Sequence, residues 1–213
     1  MATAQPLDLN TVLAAATRDP VLVEAAAALQ DNRLAVAESA LRTRLKARPT
    51  DVAAIRMLAE VAGRLGRYAN AETLLRRALV LAPDFAAARA NLATVLHRQN
   101  QPAAALAELD ALLTREPAHP GYLALKAAVF GRIGEYEAAN AIYADVLARY
   151  PGQPKLWMSY GHSLKTVGAQ ADSIAAYRRA LADARRSAKS GGASPTSRPS
   201  RSTPLTSPRC KPR

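Results

Sequence analysis

The 213-residue chain has one cysteine, Cys210, ten glycines, and aromatic residues at only 5%. A single cysteine excludes an internal disulfide framework and a cysteine-rich zinc site. The three histidines, His97, His119 and His162, lie too far apart for metal-ligand spacing. No apolar run approaches the ~18 residues of a membrane-spanning helix, since Glu24 interrupts the longest alanine-rich stretch. The opening residues MATAQPLDLN carry no basic start followed by an apolar stretch, so no secretory signal is read and a cytoplasmic protein is expected. Catalytic signatures are absent too: there is no Walker-type loop, G-x-S-x-G or H-E-x-x-H. The carboxylates read as solvated helix faces, and neither a catalytic residue nor a cofactor is expected.

What the chain has is alanine, 49 of 213 residues, and a formal charge of +12. That much alanine favours helix and argues against a sandwich or barrel. The charge raises nucleic acid or an acidic surface as partners, depending on where it sits.

The prolines reveal a repeat. Pro49, Pro83, Pro117 and Pro151 are spaced by 34 residues. With this proline as position 32, the units are 18–51, 52–85, 86–119, 120–153 and 154–187. Position 8 is small: Ala25, Ala59, Ala93, Ala127 and Gly161. Position 20 is small as well: Ala37, Ala71, Ala105, Ala139 and Ser173. Position 24 is bulky: Leu41, Leu75, Leu109, Tyr143 and Tyr177. Position 15 holds Asn32, Gly66, Asn100, Gly134 and Gly168, residue types that tolerate a left-handed backbone and end a helix. The pattern predicts two helices per unit. They approach closely through positions 8 and 20, and the proline stops the second. One such pair cannot bury its apolar face alone, so the pairs must stack.

The clearest unit reads WMSYGHSL at 157–164, followed by Ser173, Tyr177 and Ala180. It resembles the tetratricopeptide repeat (TPR) family, whose pattern is W-x2-L-G-x2-Y, then A-x3-F, then A and P. The resemblance covers 18–185 and implies an all-α solenoid, a right-handed superhelix of helix-turn-helix units. Unit 1 departs from the pattern with Glu24 at position 7 and Arg44 at position 27, and unit 4 with Lys126 at position 7. Lys126 is expected to snorkel to water. Residues 1–17 form a lead-in in which 7–17 (LDLNTVLAAAT) add one helix.

In such arrays the first helices line a concave groove, with positions 2, 5, 9, 12 and 13 pointing into it. The resemblance thus assigns Arg56, Arg64, His97, Arg98, Arg132, Lys155, His162 and Lys165 to a peptide-binding groove, with Glu60, Thr94 and Met158 beside them. A basic groove favours an acidic or extended peptide of a partner protein. The carboxylate clamp of chaperone-binding TPR domains is not matched. Arg56 and Asn91 suit two of its positions, but Glu60, Gly121 and Leu125 do not. The aromatic residues Tyr143, Trp157, Tyr160 and Tyr177 are expected to pack in the core rather than stack on bases.

Residues 186–213 break the pattern. They contain no Asp or Glu and seven Lys+Arg, among many Ser and Pro. This composition predicts a disordered basic tail. It carries +7, leaving 22 − 17 = +5 for the rest. Arg185 stands where the fifth proline belongs, and no capping helix with a polar outer face follows. The exposed apolar surface of an uncapped fifth unit leaves it open to self-association, fraying or aggregation. One permitted codon choice for 183–198, read two bases later, encodes R-P-T-L-G-E-V-W-W-S-L-A-N-L-K. That restores a proline and begins a sixth unit. A frameshift near residue 182 is the reading preferred over a genuine basic tail. Such a tail would bind acidic partners, or nucleic acid nonspecifically through phosphate contacts.

The stretch 150–181 and the recovered segment resemble the last repeats of bacterial proteins in which a TPR array precedes a sulfotransferase domain. That domain would use 3′-phosphoadenylyl sulfate and is not in this sequence. Lys189-Ser190-Gly191 is a chance likeness to its phosphosulfate loop, lacking the strand before it and the helix after it. The reading is thus an interaction module, with a truncated sulfotransferase as the alternative. Sequencing the coding DNA beyond codon 182 is expected to show the repeat continuing in another frame; no continuation there would refute the frameshift.

Overall fold

The computed structural model describes residues 18–191, with side chains through Arg186. The expected lead-in helix at 7–17 and the residues from 192 onward lie outside the described residues. The described chain is helical throughout: α1 (Pro20–Gln30), α2 (Leu34–Ala47), α3 (Val52–Arg64), α4 (Tyr68–Leu81), α5 (Ala86–Arg98), α6 (Pro102–Arg115), α7 (Pro120–Ile133), α8 (Tyr136–Arg149), α9 (Pro154–Thr166) and α10 (Gln170–Gly191).

The helix boundaries follow the 34-residue pattern. Asn32, Gly66, Asn100, Gly134 and Gly168 all have positive φ, from 57° at Asn32 to 89° at Gly134. At each of these points the chain leaves an odd-numbered helix and reverses into its partner. The second helices α2, α4, α6 and α8 each stop two residues before Pro49, Pro83, Pro117 or Pro151. Proline disfavours helix in the residue before it and removes a donor N–H. At α10 that proline is Arg185, and the helix continues to Gly191, into the segment whose composition predicts disorder.

Packing within a pair rests on the small positions. Ala25, Ala37, Ala71, Ala93, Ala105, Ala127 and Ala139 are fully buried, and Ala59 is 1% exposed. Leu41, Leu75 and Leu109 fill position 24 with no exposed surface, each contributing roughly 1.5–3 kcal/mol of burial. In the last pair the small residues are Gly161 and Ser173, and the Ser173 hydroxyl donates to the Gly161 carbonyl at 2.9 Å.

Successive pairs stack along one direction. Each second helix meets the next unit through its first helix, and the first helices also touch one another, α1 to α3, α3 to α5, α5 to α7 and α7 to α9. A layer whose members touch across every unit is the inner layer of a curved stack. The odd-numbered helices therefore form the concave side. At the far end α10 has no successor: Leu181 is 59% exposed, whereas Leu147, one repeat earlier, is 3% exposed.

The departures from the pattern have physical answers. Arg44 is not a defect in unit 1. Its side chain, 12% exposed, joins Asp19 at 2.6 Å and Asp51 at 2.9 Å. Asp19 caps α1 by accepting from the Val21 N–H, and Asp51 caps α3 by accepting from the Ala54 N–H. One guanidinium thus ties the starts of two successive first helices together. Burial pushes the Asp19 carboxyl up, but the Arg44 hydrogen bond and charge, with the Val21 and Leu22 N–H groups, outweigh it and hold its pKa below the ordinary value. Glu24 simply faces water. Lys126 does not run free into solvent: its ammonium pairs with Asp110 of α6 at 2.7 Å and lies 5.8 Å from the Phe130 ring.

The aromatic residues are less deeply buried than core packing predicts. Tyr143 is 4% exposed, while Trp157, Tyr160 and Tyr177 are half-buried. Trp157 donates its indole N–H to the Pro151 carbonyl at 2.8 Å, closing the loop before α9.

Gly161 answers a close approach. A Cβ there would stand 2.7 Å from Cε1 of Tyr177, whose hydroxyl is held by His162 at 2.9 Å. Gly161→Ala should therefore destabilise the protein, since overpacking costs about 1–3 kcal/mol and exceeds the helix-propensity gain of about 1 kcal/mol. In a Tyr177→Leu background, which recreates the Ala–Leu pairing of the first three units, the same change should become stabilising. Thermal melts of the four proteins check the reversal of sign.

Candidate functional site

The concave layer carries a cavity of about 440 Å³ between α3 and α5, floored by the start of α4. Arg64 and Arg98, two of the groove residues expected from the sequence, line it together with Glu60, Asn91, Thr94 and Tyr68. Asn91 lies one repeat along from Met57 on the inner face of α5. Its amide nitrogen is buried and has no hydrogen-bond partner. A buried donor without an acceptor costs about 1–3 kcal/mol, and a ligand carbonyl or carboxylate in the cavity would remove that cost.

The arginines differ in availability. Glu60 accepts from Arg64 at 2.7 Å and from Arg56 at 3.4 Å. Arg64 also donates to the Leu29 carbonyl of α1 at 2.6 Å. Two of the expected cations thus share one carboxylate, and this end of the groove is less basic than a count of arginines indicates. Arg98 and Arg132 make no ion pair or hydrogen bond among the described residues. Both are exposed and both act on His97. Burial, followed by the positive charges of Arg132 and Arg98, holds the His97 pKa below the ordinary histidine value. Its Nδ1 is buried and unpartnered. Both causes favour the neutral imidazole over the imidazolium.

The remaining expected residues do not join this cavity. Lys155 lines a second one, about 450 Å³, between α7 and α9, whose walls include Leu125, Ala128, Tyr143 and Leu156. His162 is exposed, but its Nδ1 is engaged by the Tyr177 hydroxyl of the paired helix. Lys165 is exposed in the last turn of α9 and lines neither cavity. Sequence reasoning underweighted Asn91, which it noted only as a clamp position, and missed the apolar Leu125–Leu156 cavity. The detectable signal for Asn91 was a polar residue on the inner face of α5 among small and aliphatic neighbours.

No group of His, Cys, Asp and Glu side chains able to hold a metal ion occurs among the described residues. No helix among them is long and apolar enough to cross a membrane.

In an NMR pH titration, the His97 ring is expected to protonate below the ordinary histidine midpoint. Arg132→Gln removes a neighbouring cation, favours the imidazolium and should raise that midpoint, without restoring the ordinary value because burial remains. An unchanged midpoint in the variant would separate Arg132 from His97.

Comparison with known proteins gives a consistent family. One tetratricopeptide repeat model matches residues 22–84 and 125–190, and a second matches 64–129. No curated protein sequence matches the chain. Among solved structures, the crystal structure of MamA is 20% identical with a TM-score of 0.63, covering 78% of this chain and 96% of that one. MamA 41-end from Desulfovibrio magneticus RS-1 is 17% identical with a TM-score of 0.66, over 78% of this chain and 94% of that one. PilW, described as a widely conserved type IV pilus biogenesis factor, is 21% identical with a TM-score of 0.70, over 76% and 74% respectively. None of these matches is to a sulfotransferase, and at these identities the structures speak to fold alone. The helix pairs, their 34-residue spacing and the matched family models together show that the chain belongs to the tetratricopeptide repeat family.

Proposed function

We propose that this chain is a non-catalytic recognition module that binds an extended, acidic segment of a partner protein in its concave groove. The observation that carries this reading is the buried, unpartnered Asn91 amide in the cavity between α3 and α5, with Arg64 and Arg98 at the rim. An extended peptide offers free backbone carbonyls to such a donor, and acidic side chains suit the exposed guanidinium of Arg98. The second cavity, beside Lys155, accepts an apolar side chain of the same segment. The +7 of the C-terminal segment plays no part in this mode of binding.

The alternative, a truncated sulfotransferase, has no support in the site: the described residues supply a groove of cations and one amide. Purified chain supplied with 3′-phosphoadenylyl sulfate should transfer no sulfate to an acceptor, and transfer would overturn the non-enzymatic reading.

Binding is measured by fluorescence anisotropy with labelled acidic peptides and their basic counterparts. The acidic set should bind and weaken with added salt. Asn91→Leu should lose roughly tenfold in affinity with an unchanged helical circular dichroism spectrum. Deleting 192–213 should leave affinity intact; loss of binding with that segment would refute the groove assignment.

A further inference from the structure

Position 28 is leucine in all five units: Leu45, Leu79, Leu113, Leu147 and Leu181. Leu45 and Leu79 pack against the core that the following first helix helps to build, and Leu147 is 3% exposed. Leu181 is 59% exposed, and Ile174, two turns earlier on the same face of α10, is 45% exposed. The opposite condition holds at α1. Position 10 is buried in units 2 to 5, as Val61, Val95, Val129 and Ser163, and Val61 clusters with Leu22 and Leu29 of the unit before. In α1 that position, Ala27, is exposed, and Val23 is 50% exposed. Among the described residues, α10 thus lacks a first helix to cover it, and α1 lacks a second helix to lie against.

Charge makes these two ends complementary. Inside the chain, position 7 of a first helix meets position 25 of the second helix before it, where Lys126 pairs with Asp110 at 2.7 Å. At the two ends these positions hold Glu24 and Arg178. Both are exposed, and neither makes an ion pair or hydrogen bond among the described residues. Arg42 and Arg76, also at position 25, are neutralised by Glu38 and Glu72 one turn earlier in their own helices. For Arg178 that place is taken by Ile174.

We propose that a second copy of this chain seats its α1 on α10, as each first helix seats on the second helix before it, so that Glu24 of one copy pairs with Arg178 of the other and Leu181 is covered. The pair is the Lys126–Asp110 contact with its signs exchanged. Glu and Arg together are longer than Lys and Asp, so the reach suffices. A two-fold contact of α10 with α10 is disfavoured, because Arg178 and Arg185 flank Leu181 at i−3 and i+4 and would meet their own kind. The head-to-tail contact is heterologous: each added copy leaves one free end of each kind, and assembly is open-ended. Glu24, Arg178 and Leu181 line neither concave cavity, so the interface is independent of the groove reading.

Sedimentation velocity of the full chain, from about 1 μM to about 1 mM, should show growth past the dimer as concentration rises. Leu181→Glu should leave a monomer. Glu24→Arg and Arg178→Glu should each weaken association about fivefold or more, because reversal removes an attraction and adds a repulsion. The chain carrying both changes, and an equal mixture of the two single variants, should recover it. All three side chains are exposed, so the helical circular dichroism of each variant should match the parent. A full chain that stays monomeric throughout overturns the proposal; that is the result if residues 1–17 or 192–213 of the same chain cover these ends. Association that stops at a dimer, ignores Glu24→Arg and tightens with Arg178→Glu places α10 against α10 and overturns it too. Association that Leu181→Glu leaves intact runs through another surface and refutes the interface. If the doubly reversed chain fails to recover association, the Glu24–Arg178 pairing is wrong.

Discussion

The close approach of two helices within each pair is the constraint on which the rest of this structure depends. It is possible only where the facing side chains are small, and the chain supplies Ala25 with Ala37, Ala59 with Ala71, Ala93 with Ala105, Ala127 with Ala139, and Gly161 with Ser173. Once the pair is drawn together there, position 24 closes over the contact and is buried by it, as at Leu41, Leu75 and Leu109. Each pair still has an open apolar edge, and the next first helix covers it. The stack, its inner layer and the groove along that layer all descend from this one packing requirement.

Charge in the groove is set by partners rather than by composition. Arg56 and Arg64, both expected in the groove, lean on Glu60. Arg98 and Arg132 have no such neighbour among the described residues, and the crowding of cations is felt instead at His97, whose neutral form burial and the two arginines favour. A groove that looks evenly basic in the sequence is uneven in the fold: tied down at α3, open at α5 and α7, and at α9 basic beside an apolar cavity. That unevenness is what allows a groove to prefer one register of a ligand over another.

The departures from the repeat are the sites where one unit differs usefully from its neighbours. Arg44 stands where the other units have an apolar residue and exchanges local packing for an ion-pair link between two helix caps. Lys126 replaces a leucine and is held by Asp110 across the α6–α7 contact. Gly161 admits the Tyr177 ring, whose hydroxyl engages Nδ1 of the expected groove residue His162. Arg44 and Lys126 stand out as anomalies in the sequence, but the resolution of all three required a partner from elsewhere in the fold.

By itself the sequence determined the helix pairs, their boundaries and their stacking, because small residues at 8 and 20, turn residues at 15 and proline at 32 act over local distances. Asn32, Gly66, Asn100, Gly134 and Gly168 all take the backbone conformation their types permit. Helical periodicity, being local, also gives each first helix an expected inner face. The tertiary structure alone decided which of those inward residues are free. Whether Arg64 is spent on Leu29, whether His97 carries charge, and whether Asn91 lacks an acceptor depend on atoms a repeat or more away in the chain. Hydrogen bonds and ion pairs act within a few ångströms of space, and only the stacked fold brings those atoms together.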